Sequence, residues 1–357
     1  MPILGGFTRL REHQWGYQGS NSSLIQTPVA ATRSMPLSGT PDVNRNATFS
    51  EDDQGSVDPI TAPYYGALDI TESLSGVLDY DSLPWYIAAS LKSGTTPSGG
   101  GAAKTWTQNT ASLTRPIAGY ITEEFGDDVL VDWYQFFGGI AESLEISGEG
   151  NDALQVSLGM RFAGFKSTGS TSYPVVGTVP TPALTVAADP PRIFLADGEL
   201  FIDDSAAAVG TTKITDALTA FNLSVNNTID QKFAANGSNS RFQPFDLPIS
   251  GREMTLRLQF HKTAQTVGTG SESDDWMSST PVKRHIELRF TRPAPFITGS
   301  TPYSWSLKVP LYYTTREEVD SAGNTNIALT GRLVYDATHG FPLSSVTVNS
   351  LATPSPL

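Results

Sequence analysis

Alternation at a period of two limits what this chain can fold into more than any other feature. Leu154, Val156, Leu158, Met160 and Phe162 alternate with Gln155, Ser157, Gly159 and Arg161. Met254, Leu256, Leu258 and Phe260 alternate with Thr255, Arg257 and Gln259. Ile286, Leu288 and Phe290 do the same against Glu287 and Arg289, Tyr303 to Leu311 makes a longer run, and Phe221, Leu223 and Val225 a shorter one. Successive side chains of a strand point to opposite faces, so each stretch buries one face and wets the other. Antiparallel sheets tolerate that arrangement. The expected fold is mainly β: two antiparallel β-sandwich or barrel domains, a short helix packed on a sheet, long loops and an extended N-terminal arm.

The helix is predicted between Asp81 and Gly94. Asp81-Ser82 offers an N-cap, Pro84 is tolerated in the first turn, and Leu83, Ile87 and Leu91 recur at helical spacing. Lys92 complements the C-terminal dipole and Gly94 supplies a stop. So short a helix is marginal alone and must dock on a sheet. Asp197-Gly198, between Ile193/Leu195 and Leu200/Ile202, carries the signal of a two-residue hairpin turn.

Ser, Thr, Asn, Pro and Gly dominate residues 18–59, as expected of a linker or of an extended arm that finds its surface on another subunit. Low complexity returns at 93–103, 167–191 and 266–280. The middle stretch holds Pro174, Pro180, Pro182, Pro190 and Pro191 and divides the chain best. The expected domains are 1–180 (arm plus first β domain) and 190–350 (second β domain), with a tail at 351–357. A repeat is legible: 138–165 reads as strand, polar turn and alternating strand, and 216–227 followed by 247–264 reads the same way.

Composition removes several functions. The chain has no cysteine, which excludes disulfides, thiolate zinc sites and a Cys nucleophile. The four histidines, His13, His261, His285 and His339, are far apart and fit no HExxH pattern. A net charge of −13 opposes tight wrapping of a phosphate backbone. No apolar run is long enough for a transmembrane helix, and the first residues lack the apolar core of a signal peptide. Synthesis in the cytoplasm is expected. G-x-S-x-G, GxxxxGK[ST] and GxGxxG are missing, so no cofactor is expected.

Carboxylates are the only abundant reactive groups, as in Glu123-Glu124, Asp127-Asp128, Glu142, Glu145 and Glu149. A glycosidase needs two of them about 5–10 Å apart, a condition too many pairs meet to be informative. A solvated acidic face is the expectation. Lys283, Arg284, Arg289 and Arg292 form the densest basic stretch, and Arg284 and Arg289 are candidates for pairing with a neighbouring subunit's carboxylates. Trp85 and Trp305 fall at core positions by period.

One order of segments is familiar. GALDITESLSGVLDYDSLPWYIAASLKSG (66–94) is an alternating strand followed by an "SLPW" helix. After a Gly/Ser-rich loop come KTWTQN (104–109) and RPIAGYITEEFGDDVLVDWYQFFGGIAESLEISGEGNDALQVSLGMRFAGF (115–165). This order resembles the major tail tube proteins of long, non-contractile-tailed bacteriophages, the siphovirus type, over about 100 residues. The second half, from Arg192 to Asn349, looks like a further domain of that type with weaker motifs and no partner for the 82–92 helix.

The resemblance implies a structural virion protein, not an enzyme. It would self-assemble into stacked rings, forming the hollow tail tube through which DNA passes. Rings would be six-fold, true hexamers or trimers in which two tube domains per chain imitate six. The implied partners are itself, the tape measure, tail tip and terminator proteins, and double-stranded DNA in transit only. The implied location is the virion tail, assembled in the host cytoplasm. Glu142 and Glu145 would line the lumen, and 18–59 together with the 93–103 loop (Thr95, Pro97, Gly100) would make ring-to-ring contacts. Two other classes stay open: a β-sandwich carbohydrate-binding, adhesin or decoration module, and a two-carboxylate hydrolase.

Overall fold

Every alternating segment lies on a strand, and the apolar residues face one core. The computed structural model describes residues 11–18, 33–51, 60–92, 97–99, 101–110, 117–126, 129–167, 191–215, 218–233, 244–262, 279–321 and 324–350. The first half contains β1 (Arg11–Gln18), β2 (Arg33–Met35), β3 (Leu37–Glu51), β4 (Ile60–Val77), α1 (Leu83–Leu91), β5 (Lys104–Asn109), β6 (Ile117–Gly126), β7 (Val129–Glu149), β8 (Gln155–Phe162) and β9 (Gly164–Ser167). The second contains β10 (Gly198–Asp203), β11 (Lys213–Ile214), β12 (Leu218–Ile229), β13 (Ile249–His261), β14 (Lys283–Thr291), β15 (Ser304–Ser321), β16 (Asn324–Leu333) and β17 (Ser344–Asn349). The chain is mainly β and antiparallel, as expected.

One sheet spans both halves, in the order β3-β4-β8-β7-β12-β13-β16-β15, every pair antiparallel. The seam is β7 against β12, from Ser143↔Asn226 to Glu149↔Ala220. Two flanking sheets cover one face of it: β2-β1-β6-β7-β9 and β11-β10-β14-β15-β17-β5. β7 and β15 each belong to two sheets. β7 crosses over at Gly138, where φ is 64°, a conformation glycine adopts without a Cβ clash. β15 crosses at a register shift between Tyr313 and Thr315, since an extra residue bends the strand.

Strand neighbours repeat between the halves. β1, β2, β3, β4, β6, β7, β8 and β9 correspond in chain order to β10, β11, β12, β13, β14, β15, β16 and β17, with the same pairings within each set. The repeat read from the sequence is thereby realigned. It matched the β7–β8 hairpin to β12–β13, whereas the pairings match β3–β4 to β12–β13 and β7–β8 to β15–β16. Any half-buried strand alternates, so the pattern alone cannot tell one hairpin from another. α1 and β5 have no counterpart among the described residues.

Other expectations are revised. Of the stretch read as an arm, 33–51 forms β2 and β3, the latter paired with β4; residues 19–32 lie outside the described residues, as does most of the Pro-rich division (168–190). The Asp197-Gly198 hairpin does not form. Leu195–Asp197 is a 3-10 turn, Gly198 is extended, and β10 pairs with β14 instead. Gly198 is needed for close approach, because a Cβ there would stand 2.7 Å from the Phe290 ring.

The helix spans its predicted residues, but all nine are buried rather than one face. It lies between sheets, so its whole surface must be apolar or individually satisfied. Ser82 makes no side-chain cap bond. Asp79 Oδ1 instead closes the turn ahead of the helix, accepting from the backbone N–H of Asp81 at 2.9 Å and of Ser82 at 2.7 Å, and the Asp79 carbonyl accepts from the first helical N–H, that of Leu83, at 3.1 Å. The helix ends at Lys92, in the left-handed region at φ 55°; Gly94 lies outside the described residues. Lys92 Nζ donates to the Leu247 carbonyl at 3.0 Å. The Ser90 carbonyl accepts from Asn227 Nδ2 at 2.9 Å and from Arg252 at 3.0 Å. The first half's helix is thus closed by side chains of the second half. Trp15, Trp85, Trp106 and Trp305 are all buried, placing Trp85 and Trp305 where their period put them.

Asn227 also donates to the Ala141 carbonyl and accepts from Arg252 Nε at 2.7 Å. Replacing it with leucine orphans a buried carbonyl and a half-buried guanidinium N–H, each worth about 1–3 kcal/mol at full burial. Asn227→Leu is expected to lower stability by about 2 kcal/mol or more, read as a shifted urea midpoint at unchanged slope.

Candidate functional site

The face of the spanning sheet turned away from the core is an organised polar surface. On β3 it presents Ser38, Thr40, Asp42 and Asn44; on β4, Asp69, Thr71, Ser73 and Ser75; on β8, Gln155, Ser157 and Arg161. β7 adds Ser143, Glu145 and Ser147, β12 adds Asn222, Ser224 and Asn226, and β13 adds Glu253, Thr255 and Arg257. The opposite positions, such as Leu74, Leu144, Ile146, Leu158, Leu223 and Leu256, lie in the core.

Among the described residues the arginines on this face are held by acids. Arg161 bonds Asp69 and reaches Glu142 at 3.2 Å. Arg257 reaches Glu317 at 3.3 Å and Arg332 reaches Glu253 at 3.8 Å. Asn222 donates to Glu145. Both carboxylates picked from the sequence therefore sit on the solvent face near the seam. Glu145 is exposed, and Glu142, at the register shift between Ala141 and Ser143, is tied to Arg161.

Among the described residues the sheet ends in β3 on one side and in residues 314–321 of β15 on the other. With eight antiparallel strands the two ends run in opposite directions. β15 of one copy beside β3 of another would therefore also be antiparallel, as their counterparts β7 and β12 already are within the chain. No pattern flagged these ends: β3 is mostly polar, with Ser, Thr and Asn twice each, and residues 314–321 (TTREEVDS) are polar.

The other candidates are scattered. Pro97 is half-buried beside the Ser98–Thr105 bridge; Thr95 and Gly100 lie outside the described residues. Arg284 is buried and pairs with Asp204, and burial pulls its pKa below the usual guanidinium value. Arg289 bonds Glu287 at 2.9 Å and lies 4.6 Å above the Phe201 ring. These basic residues engage partners within their own chain.

His285 falls on the polar side of β14, as its period requires, yet it is buried. The loop 334–343 covers it, placing Asp336 3.9 Å away and the His339 ring 5.4 Å away. Burial pushes His285 below the usual imidazole range, with Asp336 opposing. Asp336 accepts from Lys283 at 2.7 Å and from the backbone N–H of Thr338 and His339. The Lys283 bond, helped by those N–H groups and opposed by burial, holds Asp336 down at about 2. A carboxylate depressed from about 3.9 stabilises the fold above that pH, and the contribution is lost as pH falls toward the folded value. The difference in melting temperature between the wild type and Asp336→Asn is therefore expected to be largest near neutrality and to close between about pH 4 and pH 2. Among the described residues no group of three His, Asp or Glu could hold a metal ion, and no helix is long and apolar enough to cross a membrane.

The phage tail tube protein family matches residues 20–260, more than half of the chain and across the β7–β12 seam, and the chain belongs to that family. No curated protein matches it.

Proposed function

We propose that this protein self-assembles into rings that stack into the hollow tail tube of a phage, through which double-stranded DNA passes. The observation that carries this reading is the pair of matching ends on one eight-stranded sheet whose other face is already covered. Joining β15 of each chain to β3 of the next closes the sheet into a barrel, and closure removes exposed edges. The polar face then points inward.

The geometry favours three chains. Twenty-four strands about 4.8 Å apart, tilted about 40°, give a backbone diameter of roughly 48 Å. With about 5 Å of side chain on each side, roughly 38 Å stays open. Two chains would leave roughly 22 Å, too tight for a hydrated duplex. Each half, 1–180 and 190–350, serves as one of six tube units. The lumen holds DNA loosely, because phosphate affinity comes from free Lys and Arg, and here the arginines are met by carboxylates. The protein has no catalytic role. It assembles in the host cytoplasm, meeting tape measure, tail tip and terminator proteins, and ends in the virion tail. The 18–32 and 93–103 stretches contribute to stacking, and Arg289 can add a neighbour's carboxylate, worth about 1 kcal/mol at most.

Negative-stain microscopy of the concentrated protein is expected to show hollow rods with a regular axial repeat and three subunits in end view. Globular monomers alone, even with a tail-tip initiator added, would count against the reading. Replacing Glu142 and Glu145 with lysine is expected to leave tubes intact and slow DNA passage; unchanged infectivity removes those residues from the lumen. A chain lacking 93–103 is expected to form rings that do not stack, and normal polymerisation would overturn that assignment.

A further inference from the structure

The seam between β7 and β12 is an internal pattern for the joint between chains, because β15 is the counterpart of β7 and β3 the counterpart of β12. The correspondence extends to single residues. β7 gains one extra residue, Glu142, where its pairing with β8 shifts between Ala141↔Met160 and Ser143↔Gly159. β15 gains one, Thr314, where its pairing with β16 shifts between Tyr313↔Gly331 and Thr315↔Thr330. Superposing these bulges matches Ser143 with Thr315, Glu145 with Glu317 and Ser147 with Val319. It also matches Leu158 of β8 with Leu329 of β16. Leu158 pairs with Leu74, and Leu74 with Gly39; Leu329 pairs with Leu258, and Leu258 with Phe221. On β3, therefore, Asn44 matches Asn226, Asp42 matches Ser224 and Thr40 matches Asn222.

At the seam the polar-face pairs are Ser143↔Asn226, Glu145↔Ser224 and Ser147↔Asn222. In the same register, β15 of one chain and β3 of the next would pair Thr315↔Asn44, Glu317↔Asp42 and Val319↔Thr40. The outer pairs are uncharged. The central one sets carboxylate against carboxylate, where the seam sets Glu145 against a serine. Glu317 and Asp42 are both exposed in the single chain. Arg257, 3.3 Å from Glu317, offsets part of its charge. Asp42 accepts from Asn44 at 2.9 Å. Arg161, two strands away from it across Thr71, is already engaged by Asp69 and Glu142. The opposite face of β15 differs from β7 in the same sense: Arg316 and Glu318, 3.2 Å apart, stand where β7 buries Leu144 and Ile146.

We propose that the chain-to-chain joint copies the register of the seam, and that Glu317 facing Asp42 of a second copy makes it a charge-guarded joint where the seam is neutral. This rests on the ring reading above. Residues directly opposite in an antiparallel pair hold their Cβ atoms about 5 Å apart, and like charges there oppose pairing. The seam needs no guard, since its two strands belong to one chain and meet on folding. The joint does, because a long open edge pairs with any strand it meets, and charge on that edge is a way to prevent it. The carboxylate pair shortens the life of a stray joint between free chains while leaving the main-chain ladder available to the assembled ring. Both groups are exposed, so salt screens the repulsion.

The absence of native cysteine permits a direct test. Three double variants carry the matched pairs, Thr315→Cys with Asn44→Cys, Glu317→Cys with Asp42→Cys, and Val319→Cys with Thr40→Cys. Two carry slipped pairs, Glu317→Cys with Thr40→Cys or with Asn44→Cys. Assembled samples are oxidised and run without reductant. The matched pairs are expected to give chain-to-chain cross-links up to a covalent trimer, collapsing to monomer on reduction, and the slipped pairs far fewer. Slipped pairs linking best, or no matched pair linking in samples where microscopy shows tubes, overturns the register and leaves the ring reading standing. If the wild-type chain forms no tubes under any condition, the ring reading falls and this inference with it. Asp42→Asn is expected to lower the concentration needed for assembly about two- to fivefold in low salt, and Asp42→Lys to lower it further. Both advantages are expected to close near about 1 M salt, with the circular dichroism of the free chains unchanged. Assembly of both variants at the wild-type concentration in low salt overturns the guard.

Discussion

A β-sheet cannot simply stop. Its last strand presents a row of N–H and C=O groups that must find water, another strand or a cover. The architecture of this protein follows from where its sheets are allowed to end. Within the chain, β7 of the first half is continued by β12 of the second, and β17 of the second is continued by β5 of the first. These two junctions run in opposite senses through the chain, one in each layer. They bind the halves more firmly than side-chain contact across a divide would, because both layers are continuous backbone ladders.

The helix sits beneath these junctions and packs against β7, β5 and β17. Its burial on all sides creates a problem that a surface helix does not have, since its terminal carbonyls cannot turn to water. Asn227 and Arg252 answer it with bonds to the Ser90 carbonyl, while at the other end the Asp79 carbonyl accepts from the Leu83 N–H. Burial lowers the pKa of Arg252, and its place is justified by the two acceptors it serves rather than by a salt bridge. Polar groups inside the core thus specify how the two halves fit, while the apolar cluster around them is shared and has no boundary at the seam.

Membership of the tail tube family and the chemistry of the open sheet face support each other. Serine, threonine and asparagine give a wet surface without strong attraction for phosphate. The arginines that would supply that attraction are met by Asp69, Glu142, Glu317 and Glu253. The overall acidity of the chain sets the sign of the field, and among the described residues the local pairings offset these arginines one by one. Arg284 and Arg289, conspicuous in the sequence as a basic run, belong to the opposite layer and serve β14 and its neighbours there.

Much of this was legible in the residues alone. Period-two alternation is a local property, and it placed β8, β12, β13, β14 and the first part of β15 with their buried faces. Spacing and the Ser-Leu-Pro start placed α1. What the residues could not decide depends on neighbours distant in the chain. β3 and the end of β15 look like loops because a terminal strand with one wet face needs few apolar residues. His285 and Glu287 look exposed because the cover supplied by loop 334–343 and by Gly210 is invisible to periodicity. The order of strands, the exchange of β5 between halves and the true alignment of the repeat came only from the tertiary structure. Alternation says which face of a strand is buried; only three-dimensional pairing says which strand lies beside it.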